Sequence, residues 1–216
     1  MPAPLLSGVL LAAGRARRMG REKLLLEVGG RPVVRTAAAS LVAMKPREIL
    51  VVTRADHEAD VARALAGLPI RTLVNPRADD GMGTSIAIAA AAVDPASDAL
   101  LLLQGDQPLV THEMLEALVA EWEQSRAVFV SSTYDGLATT PVLFFRALFA
   151  ELAALEGDRG ARAVLDRHYE RGRTVSFPAW RGRDVDTEED YRALLALWET
   201  ERQRRLSQLT QRRQRE

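Results

Sequence analysis

The sequence has 216 residues, with 29 basic and 29 acidic side chains, three histidines and no cysteine. This length suits one folded domain with a small addition. A content of 47% hydrophobic residues excludes a disordered chain. The absence of cysteine excludes disulfides and thiolate chemistry. Balanced charge argues against partners such as nucleic acid or an anionic membrane, and without a signal-type leader or a membrane-length apolar run we expect a soluble cytoplasmic protein.

Short apolar strands alternate with amphipathic helices along the first half of the chain. The predicted elements there are a strand at 7–11, a helix opening at Pro32, a strand at 48–53, a helix at 56–65, a strand at 70–74, a helix at 84–93 and a strand at 99–103.

The second half continues the alternation. Its predicted elements are a helix capped by Thr111, strands at 127–132 and 142–145, a helix ending near Leu155, a helix at 161–168, a weak strand at 175–177 and a last helix opened by the capping-box pair Thr187 and Asp190.

This order predicts a single doubly wound α/β domain over residues 1–199, a mostly parallel sheet with helices on both faces. Residues 200–216 hold six arginines and two glutamates, and we expect a solvated Arg-rich tail, helical or disordered. In such sheets ligands bind at the carboxyl ends of the strands. We therefore expect the functional site in the loops after Leu11, Val74 and Leu103.

The loop after the first strand reads LAAGRARRMGREK over residues 11–23. Its small residues 12–14 let the backbone approach a ligand and form an anion-binding nest, and Arg18 and Lys23 add positive charge beside it. The pattern favours a polyphosphate, although an ordinary turn with solvated arginines is the alternative. It matches neither the P-loop nor the GxGxxG dinucleotide fingerprint.

Carboxylates follow at two further places. Asp106 comes directly after the most apolar strand, in QGDQP, where a carboxylate is suited to hold Mg²⁺ and where capping the turn is the alternative role. Asp184 and Asp186 are two residues apart and share a face if the chain is extended, so they could complete a metal shell, or instead begin the last helix.

The segment NPRADDGMGTS, residues 75–85, places Gly81 and Ser85 at the start of a helix, where an anion or a ribose hydroxyl could be bound. The alternative is a glycine-rich helix start that Thr84 or Ser85 caps. Asn75 could contact a base edge or brace the turn at Pro76. In GDRGAR, residues 157–162, Arg159 and Arg162 are suited to a phosphate, with a surface ion pair to Asp158 or Glu156 as the alternative.

These motifs together resemble the nucleotidyltransferases that load a nucleotide onto a phosphorylated acceptor, whose signature is L-A-A-G-x-S-x-R-M-G-x-x-K. The chain is most similar to the molybdenum cofactor cytidylyltransferase branch, because the guanylyltransferase branch usually has Gly where this chain has Ala13. The resemblance extends from about Val9 to Leu194 and includes PVLFFRALF at 141–149 and DVDTEEDY at 184–191.

The resemblance implies a Rossmann-like nucleotidyltransferase fold and Mg²⁺-dependent transfer from an NTP, CTP by this branch, to the phosphate of molybdopterin or molybdenum cofactor. A molybdoenzyme or its maturation chaperone would be a partner. The expected catalytic residues are Arg18, Lys23 and Asp106; the nucleotide-binding residues are Leu11, Ala12, Ala13, Gly14, Arg15, Lys23, Asn75, Gly81, Ser85 and Asp106; the acceptor-binding residues are Thr140, Arg159 and Arg162; and the metal ligands are Asp106 and Asp186.

The chain departs from the family pattern twice: Ala16 replaces the signature Ser, and Thr139-Thr140-Pro141 replaces a G-x-P acceptor loop. A β-branched residue does not readily adopt the positive φ that Gly permits, so the acceptor pocket is expected to be reshaped. Guanylyl transfer, transfer to another phosphorylated acceptor such as a sugar phosphate, and a non-catalytic maturation factor remain alternatives.

Overall fold

A computed structural model describes residues 4–14 and 22–213, and its centre is one seven-stranded sheet. The strands of this part of the chain are β1 (Leu6–Ala12), β2 (Glu27–Val28), β3 (Arg31–Pro32), β4 (Glu48–Thr53), β5 (Arg71–Val74), β6 (Ala99–Gln104), β7 (Phe129–Tyr134), β8 (Leu137–Phe145) and β9 (Arg173–Ser176). In the sheet they lie in the order β5-β4-β1-β6-β8-β7-β9, and all pairs are parallel except those made by β8.

Helices cover both faces of the sheet, which confirms the predicted fold class. They are α1 (Val33–Ala43), α2 (Glu58–Ala64), α3 (Met82–Ala92), α4 (His112–Ser125), α5 (Phe149–Ala153), α6 (Arg162–Arg167) and α7 (Glu188–Arg213). The apolar residues of α1, α2 and α4 pack in one cluster, and those of α3, α5 and α6 pack in a second cluster on the opposite face.

The alternation along β1 explains why the sheet needs both helical layers. Successive side chains of a strand point to opposite faces. Leu10 and Ala12 therefore join the cluster of α1, α2 and α4, whereas Val9 and Leu11 join that of α3, α5 and α6. The run from Val9 to Ala12 is apolar at every position, so neither face of the strand can be left in water.

The strand order places the switch point of the sheet between β1 and β6. From β1 the chain moves outward through β4 to β5, then returns across β1 to add β6 on its other side. Because β1 and β6 are parallel neighbours, the loops that follow them start side by side at the carboxyl edge of the sheet, where ligands bind in such folds. The first glycine-containing loop and Asp106 leave these two strands, so the topology brings the two strongest motifs to one crevice.

Two features of the fold differ from the sequence prediction. Strand β8 begins at Leu137 rather than 142, because Asp135 and Gly136, both with positive φ, turn the chain directly back from β7. Asp-Gly is a typical hairpin turn pair, so the sequence did carry this signal. The small antiparallel ribbon of β2 and β3 was not predicted, since two residues per strand are too few for a periodic pattern.

The last helix packs on that ribbon through a third apolar cluster. Helix α7 runs without a break across the predicted boundary at residue 199, so residues 200–213 continue it; the division into domain and tail stays a prediction. Among the described helices, none combines the length and the apolar character needed to cross a membrane.

Alanine at Gly29 is expected to loosen the contact between the ribbon and α7. Gly29 has a φ of 60°, and an added Cβ would lie 2.5 Å from Nε1 of Trp198. Gly30 has a φ of 74° but open space around it, so it is the matched control. We expect Gly30→Ala to lower the free energy of unfolding by about 1 kcal/mol and Gly29→Ala by about 2 kcal/mol more. Urea denaturation of both variants measures the difference, and equal losses would contradict the packing of Trp198.

Candidate active site

A cleft of about 470 Å³ lies at the carboxyl edge of the sheet, at the β1–β6 switch point. Among its described lining residues five are aspartates and two are basic. The lining consists of Leu11, Ala12, Ala13, Gly14, Lys23, Leu24, Arg54, Ala78, Asp79, Gly81, Met82, Ser85, Gln104, Asp106, Asp158, Asp184 and Asp186. A wall with this excess of carboxylates favours a cation as part of any complex with an anionic ligand.

Asp106 reaches the cleft through a tight turn after β6. The backbone N–H of Gly105 donates to the carbonyl of Leu11 at 2.8 Å, which ties the turn to the end of β1. A Cβ on Gly105 would lie 3.1 Å from that same carbonyl oxygen, so a side chain there would push the two strand ends apart. Asp106 is consequently held against β1 and is only 8% exposed.

Asp184 and Asp186 come from the segment that leads into α7. Val185 between them is fully buried in the third apolar cluster, which anchors the segment. The predicted capping box forms, because Asp190 accepts from the N–H of Thr187 at 2.8 Å and the hydroxyl of Thr187 accepts from the N–H of Asp190 at 3.1 Å. The two aspartates thus project to one side of the chain at the start of the helix, as their spacing predicted.

Lys23 joins the two carboxylate sources. Its ammonium donates to Oδ2 of Asp106 at 2.6 Å and to Oδ1 of Asp186 at 2.7 Å. Burial alone would lower the pKa of Lys23, but the neighbouring carboxylates of Asp106 and Asp186 outweigh burial and raise that pKa. Lys23 is therefore a fixed positive charge in the floor of the cleft.

The carboxylates fit a divalent metal ion. Oxygens of Asp106, Asp184 and Asp186 all lie within 4.8 Å of one another, and hard cations such as Mg²⁺ prefer such oxygen donors. Burial, and then the charges of Asp106 and Asp186, raise the pKa of Asp184, which means that the cluster holds more negative charge than Lys23 balances. The buried ammonium of Lys23 already occupies the place of a cation in this donor set.

Most of the predicted nucleotide-binding residues lie in the cleft wall. The structure brings together Leu11, Ala12, Ala13, Gly14, Lys23, Gly81, Ser85 and Asp106, with Asp186 beside them. Arg15 and Arg18 lie outside the described residues. Their roles stay predictions.

Asn75 is not among the lining residues of the cleft. It is 1% exposed, and its side-chain amide donates to the hydroxyls of Thr84 and Ser85 at 2.9 Å each. Its carbonyl oxygen accepts from the N–H of Arg77 at 2.8 Å. Of the two roles considered from the sequence, the geometry matches the brace of the turn, because both amide hydrogens and the carbonyl oxygen have partners within the protein.

The predicted acceptor residues do not line the cleft either. Arg159 and Arg162 are exposed, and both pair with Asp166, at 2.9 Å and 3.6 Å. Thr140 is buried, donates to Oε1 of Gln107 at 2.9 Å and accepts from Nε2 of Gln104 at 3.1 Å. The arginines thus form surface ion pairs, the alternative considered from the sequence, but their partner is Asp166 and not Asp158 or Glu156.

The Thr139-Thr140 loop is accommodated without positive φ. Among the described residues other than glycine, Lys45, Arg126 and Asp135 have positive φ, whereas Thr139 does not. A register shift between Ser131 and Ser132 lets β7 pair with Thr139 on one side and Val142 on the other. Thr139 and Thr140 thus lie within β8 beside a local irregularity in the strand pairing, and the reshaping of an acceptor pocket stays a prediction.

Sequence reasoning missed Arg54. Its side chain is nearly fully buried in the cleft wall, where its guanidinium donates to Asp56 at 2.5 Å and to Asp79 at 3.3 Å. Arg54 directly follows β4, so the rule that ligands bind at the carboxyl ends of parallel strands could have identified it. The predicted site included the loops after Leu11, Val74 and Leu103 but not the loop after Thr53.

Gly81 and Gly83 allow the start of α3 to touch the chain at residues 156–158. Gly81 has a φ of 113°, and a Cβ there would lie 2.3 Å from the carbonyl carbon of Gly157. The N–H of Gly83 donates to the carbonyl of Gly157 at 2.8 Å. This close approach places Asp158 and Met82 on the same wall of the cleft.

We expect Gly81→Ala to separate these two segments. Positive φ and the backbone clash together should lower the free energy of unfolding by about 3 kcal/mol, and nucleotide binding should weaken because Met82 and Ser85 move with the helix start. Gly157→Ala is the matched control, since it adds a methyl at positive φ with no atom within 4 Å. Chemical denaturation and nucleotide titration check both variants; similar behaviour of the two would show that the close approach is unimportant.

Comparison with known proteins agrees with this geometry. A model of the MobA-like NTP transferase domain matches residues 8–172. Purine catabolism protein PucB of Bacillus subtilis is 30% identical over 203 residues, which cover 88% of this chain and 96% of PucB. Nicotine blue oxidoreductase of Paenarthrobacter nicotinovorans is 32% identical over 171 residues, 75% of this chain and 82% of that protein.

A solved structure is similar over nearly the whole chain. Rv0371c from Mycobacterium tuberculosis has a TM-score of 0.79 and 28% identity, covering 90% of this chain and 100% of its own. A second crystal structure of Rv0371c was determined as a complex with manganese, and it has a TM-score of 0.73 and 26% identity, with 90% of this chain and 100% of that chain covered.

Proposed function

We propose that this chain, which belongs to the family of MobA-like NTP transferase domains, transfers the cytidylyl group of CTP to the terminal phosphate of molybdopterin or molybdenum cofactor. Its family and fold support nucleotidyl transfer in general, without a choice of nucleotide or acceptor. The observation that carries the proposal is the cleft at the switch point, where Lys23 joins Asp106 to Asp186 within reach of the glycine-containing loop.

The reaction needs no general base from the protein. An ionised phosphate oxygen of the acceptor attacks the α-phosphorus of CTP, a new P–O bond forms, and the bond to the β-phosphate oxygen breaks as pyrophosphate leaves with its electron pair. A phosphate monoester has a second pKa of about 6, so its attacking oxygen is already deprotonated near neutral pH. Positioning and electrostatic stabilisation then supply the catalysis.

The charged residues of the cleft have separate roles in this proposal. Asp106 and Asp186, with Asp184 beside them, would hold the metal, and a bound Mg²⁺ would neutralise charge on the phosphates. Lys23 would stabilise the leaving pyrophosphate together with Arg18. The complex of the similar Rv0371c with manganese supports the use of a divalent metal ion.

The small residues at the end of β1 would admit the triphosphate. Backbone N–H groups near Ala13 and Gly14 are suited to phosphate oxygens, and an added Cβ on Gly14 would meet no atom of the described residues within 4 Å. The methyl group of Ala13 packs in the apolar cluster on the α3 side and borders the cleft as well. It would narrow the cleft on that side, which favours the smaller base of CTP.

The proposed acceptor depends on the resemblance to the molybdenum cofactor branch. Thr140, Arg159 and Arg162 stay predictions for its binding, and an acceptor phosphate would have to displace Asp166 from the two arginines. A molybdoenzyme or its maturation chaperone would receive the product.

The test is pyrophosphate release by the purified protein with Mg²⁺ and molybdenum cofactor, measured separately with CTP, GTP, ATP and UTP. We expect release with CTP alone. Release with GTP alone would make the protein a guanylyltransferase. Nucleotide binding without release from any of the four would exclude this acceptor and favour another phosphorylated one, such as a sugar phosphate, or a non-catalytic maturation factor.

A further inference from the structure

The ammonium of Lys23 occupies the position that a metal ion would need. It lies 2.6 Å from Oδ2 of Asp106 and 2.7 Å from Oδ1 of Asp186, and its side chain is 9% exposed. Both aspartates belong to the three-aspartate cluster, in which one carboxylate oxygen of each residue lies within 4.8 Å of the other two. The buried lysine thus satisfies two of the three carboxylates of the cluster.

The backbone that carries Lys23 is anchored by the residues that follow it. Glu22 accepts from the N–H of Leu24 at 3.2 Å, and Leu24 and Leu26 are buried in two different apolar clusters. The side chain of a lysine, by contrast, rotates about four carbon–carbon bonds. A change of partner at Lys23 therefore requires rotation of its side chain and no rearrangement of the turn.

Lysine and metal exclude each other at these oxygens. A Mg²⁺ ion binds carboxylate oxygens at about 2.1 Å, so an ion on Asp106 and Asp186 would share the same lone pairs as the ammonium and repel it at close range. Metal binding without nucleotide then leaves a buried ammonium without its partners, which is unfavourable. A triphosphate in the cleft would give Lys23 new anionic partners.

We propose that Lys23 acts as an internal cation that keeps the aspartate cluster closed to metal until the phosphates of a nucleotide draw the lysine away. This inference rests on the proposed function, and it adds an order of binding to it. Nucleotide raises the affinity for metal, and by thermodynamic reciprocity metal raises the affinity for nucleotide by the same factor. The cleft would therefore not hold a tightly bound metal in the absence of substrate.

The first test is calorimetric titration of Mn²⁺ into the nucleotide-free protein. We expect Lys23→Met to bind Mn²⁺ at least tenfold more tightly than the unmodified chain, because the competing charge is gone. Lys23→Arg keeps that charge and should bind within threefold of the unmodified chain. Lys45→Met is the matched control: Lys45 is the other lysine of the sequence, and it lies between α1 and β4, at the opposite edge of the sheet.

A second measurement needs no variant, since the sequence has two lysines that mass spectrometry can follow separately. Lys23 is buried and doubly hydrogen-bonded, whereas Lys45 is exposed. Saturating Mn²⁺ should increase the rate of acetylation of Lys23 at least fivefold and leave that of Lys45 unchanged. This result shows whether metal displaces Lys23 from the aspartates, even if Lys23→Met does not fold without metal.

Equal Mn²⁺ affinity of the unmodified chain and a folded Lys23→Met, with no change in the acetylation of Lys23, would overturn the internal-cation role while leaving the transferase intact. Absence of Mn²⁺ binding in every variant, with CTP as well as without it, would overturn the metal site itself and with it the proposed function. The two failures are thus distinguishable.

Discussion

Replacement of Asp106 by asparagine is expected to lower the rate of pyrophosphate release about 1,000-fold, or roughly 4 kcal/mol in activation free energy. Asparagine keeps the size of the side chain but removes the charge that would hold the metal, and it also removes one of the two partners of Lys23. A steady-state assay with CTP, Mg²⁺ and molybdenum cofactor measures the loss.

The matched control is Asp135→Asn. Asp135 lies in the hairpin turn between β7 and β8 with a φ of 50°, a conformation that asparagine adopts readily, and it is far from the cleft in sequence and outside its lining. We expect its activity to stay within twofold. Near-normal transfer by a folded Asp106→Asn would remove the carboxylate from the mechanism, whereas loss in both variants would indicate general damage.

Lys23→Met is expected to lower the same rate about 100-fold, since removal of one charged donor at a reacting phosphate typically costs this much. Methionine fills a comparable volume, but it leaves the carboxylates of Asp106 and Asp186 without their ammonium partner, so we also expect the variant to unfold at a lower temperature. Pyrophosphate assays measure the loss of turnover, and thermal unfolding of the same preparation measures any loss of stability.

Two further variants make this prediction specific. Lys45→Met removes the other lysine and should leave the rate unchanged. Combined Asp106→Asn and Lys23→Met should lose less than the product of the single losses, because residues that act as a unit are not additive. Full additivity would indicate that the 2.6 Å contact between Lys23 and Asp106 has no part in the reaction.

The sequence predicted well wherever the signal is local. The apolar run of β1 demanded a sheet covered on both faces, and it is fully buried. Asp106 could be identified because its strand ends immediately before a Gly-Asp turn, and the capping box at Thr187 and Asp190 forms as its spacing requires. In each case residues a few positions apart fix the backbone, so composition and periodicity are sufficient.

Residues with two plausible roles were not decided by sequence. Asn75 and Thr140 have side chains suited to a ligand, yet both are buried and form hydrogen bonds with neighbouring side chains of the protein. Arg54 was overlooked for the opposite reason, since a lone arginine after a strand carries no motif. Only its burial in the cleft wall beside Asp79 distinguishes it from a surface arginine.

The sequence by itself determined the alternation of strands and helices, the glycine-containing loop and the positions of the carboxylates. Tertiary structure alone decided that Lys23 joins Asp106 and Asp186, which are 83 and 163 residues away along the chain. That contact depends on α7 packing against the ribbon of β2 and β3 through Val28, Val185 and Leu194. Apolar packing between distant segments leaves no recognisable pattern in the sequence. It depends on the shapes of the folded surfaces that come into contact.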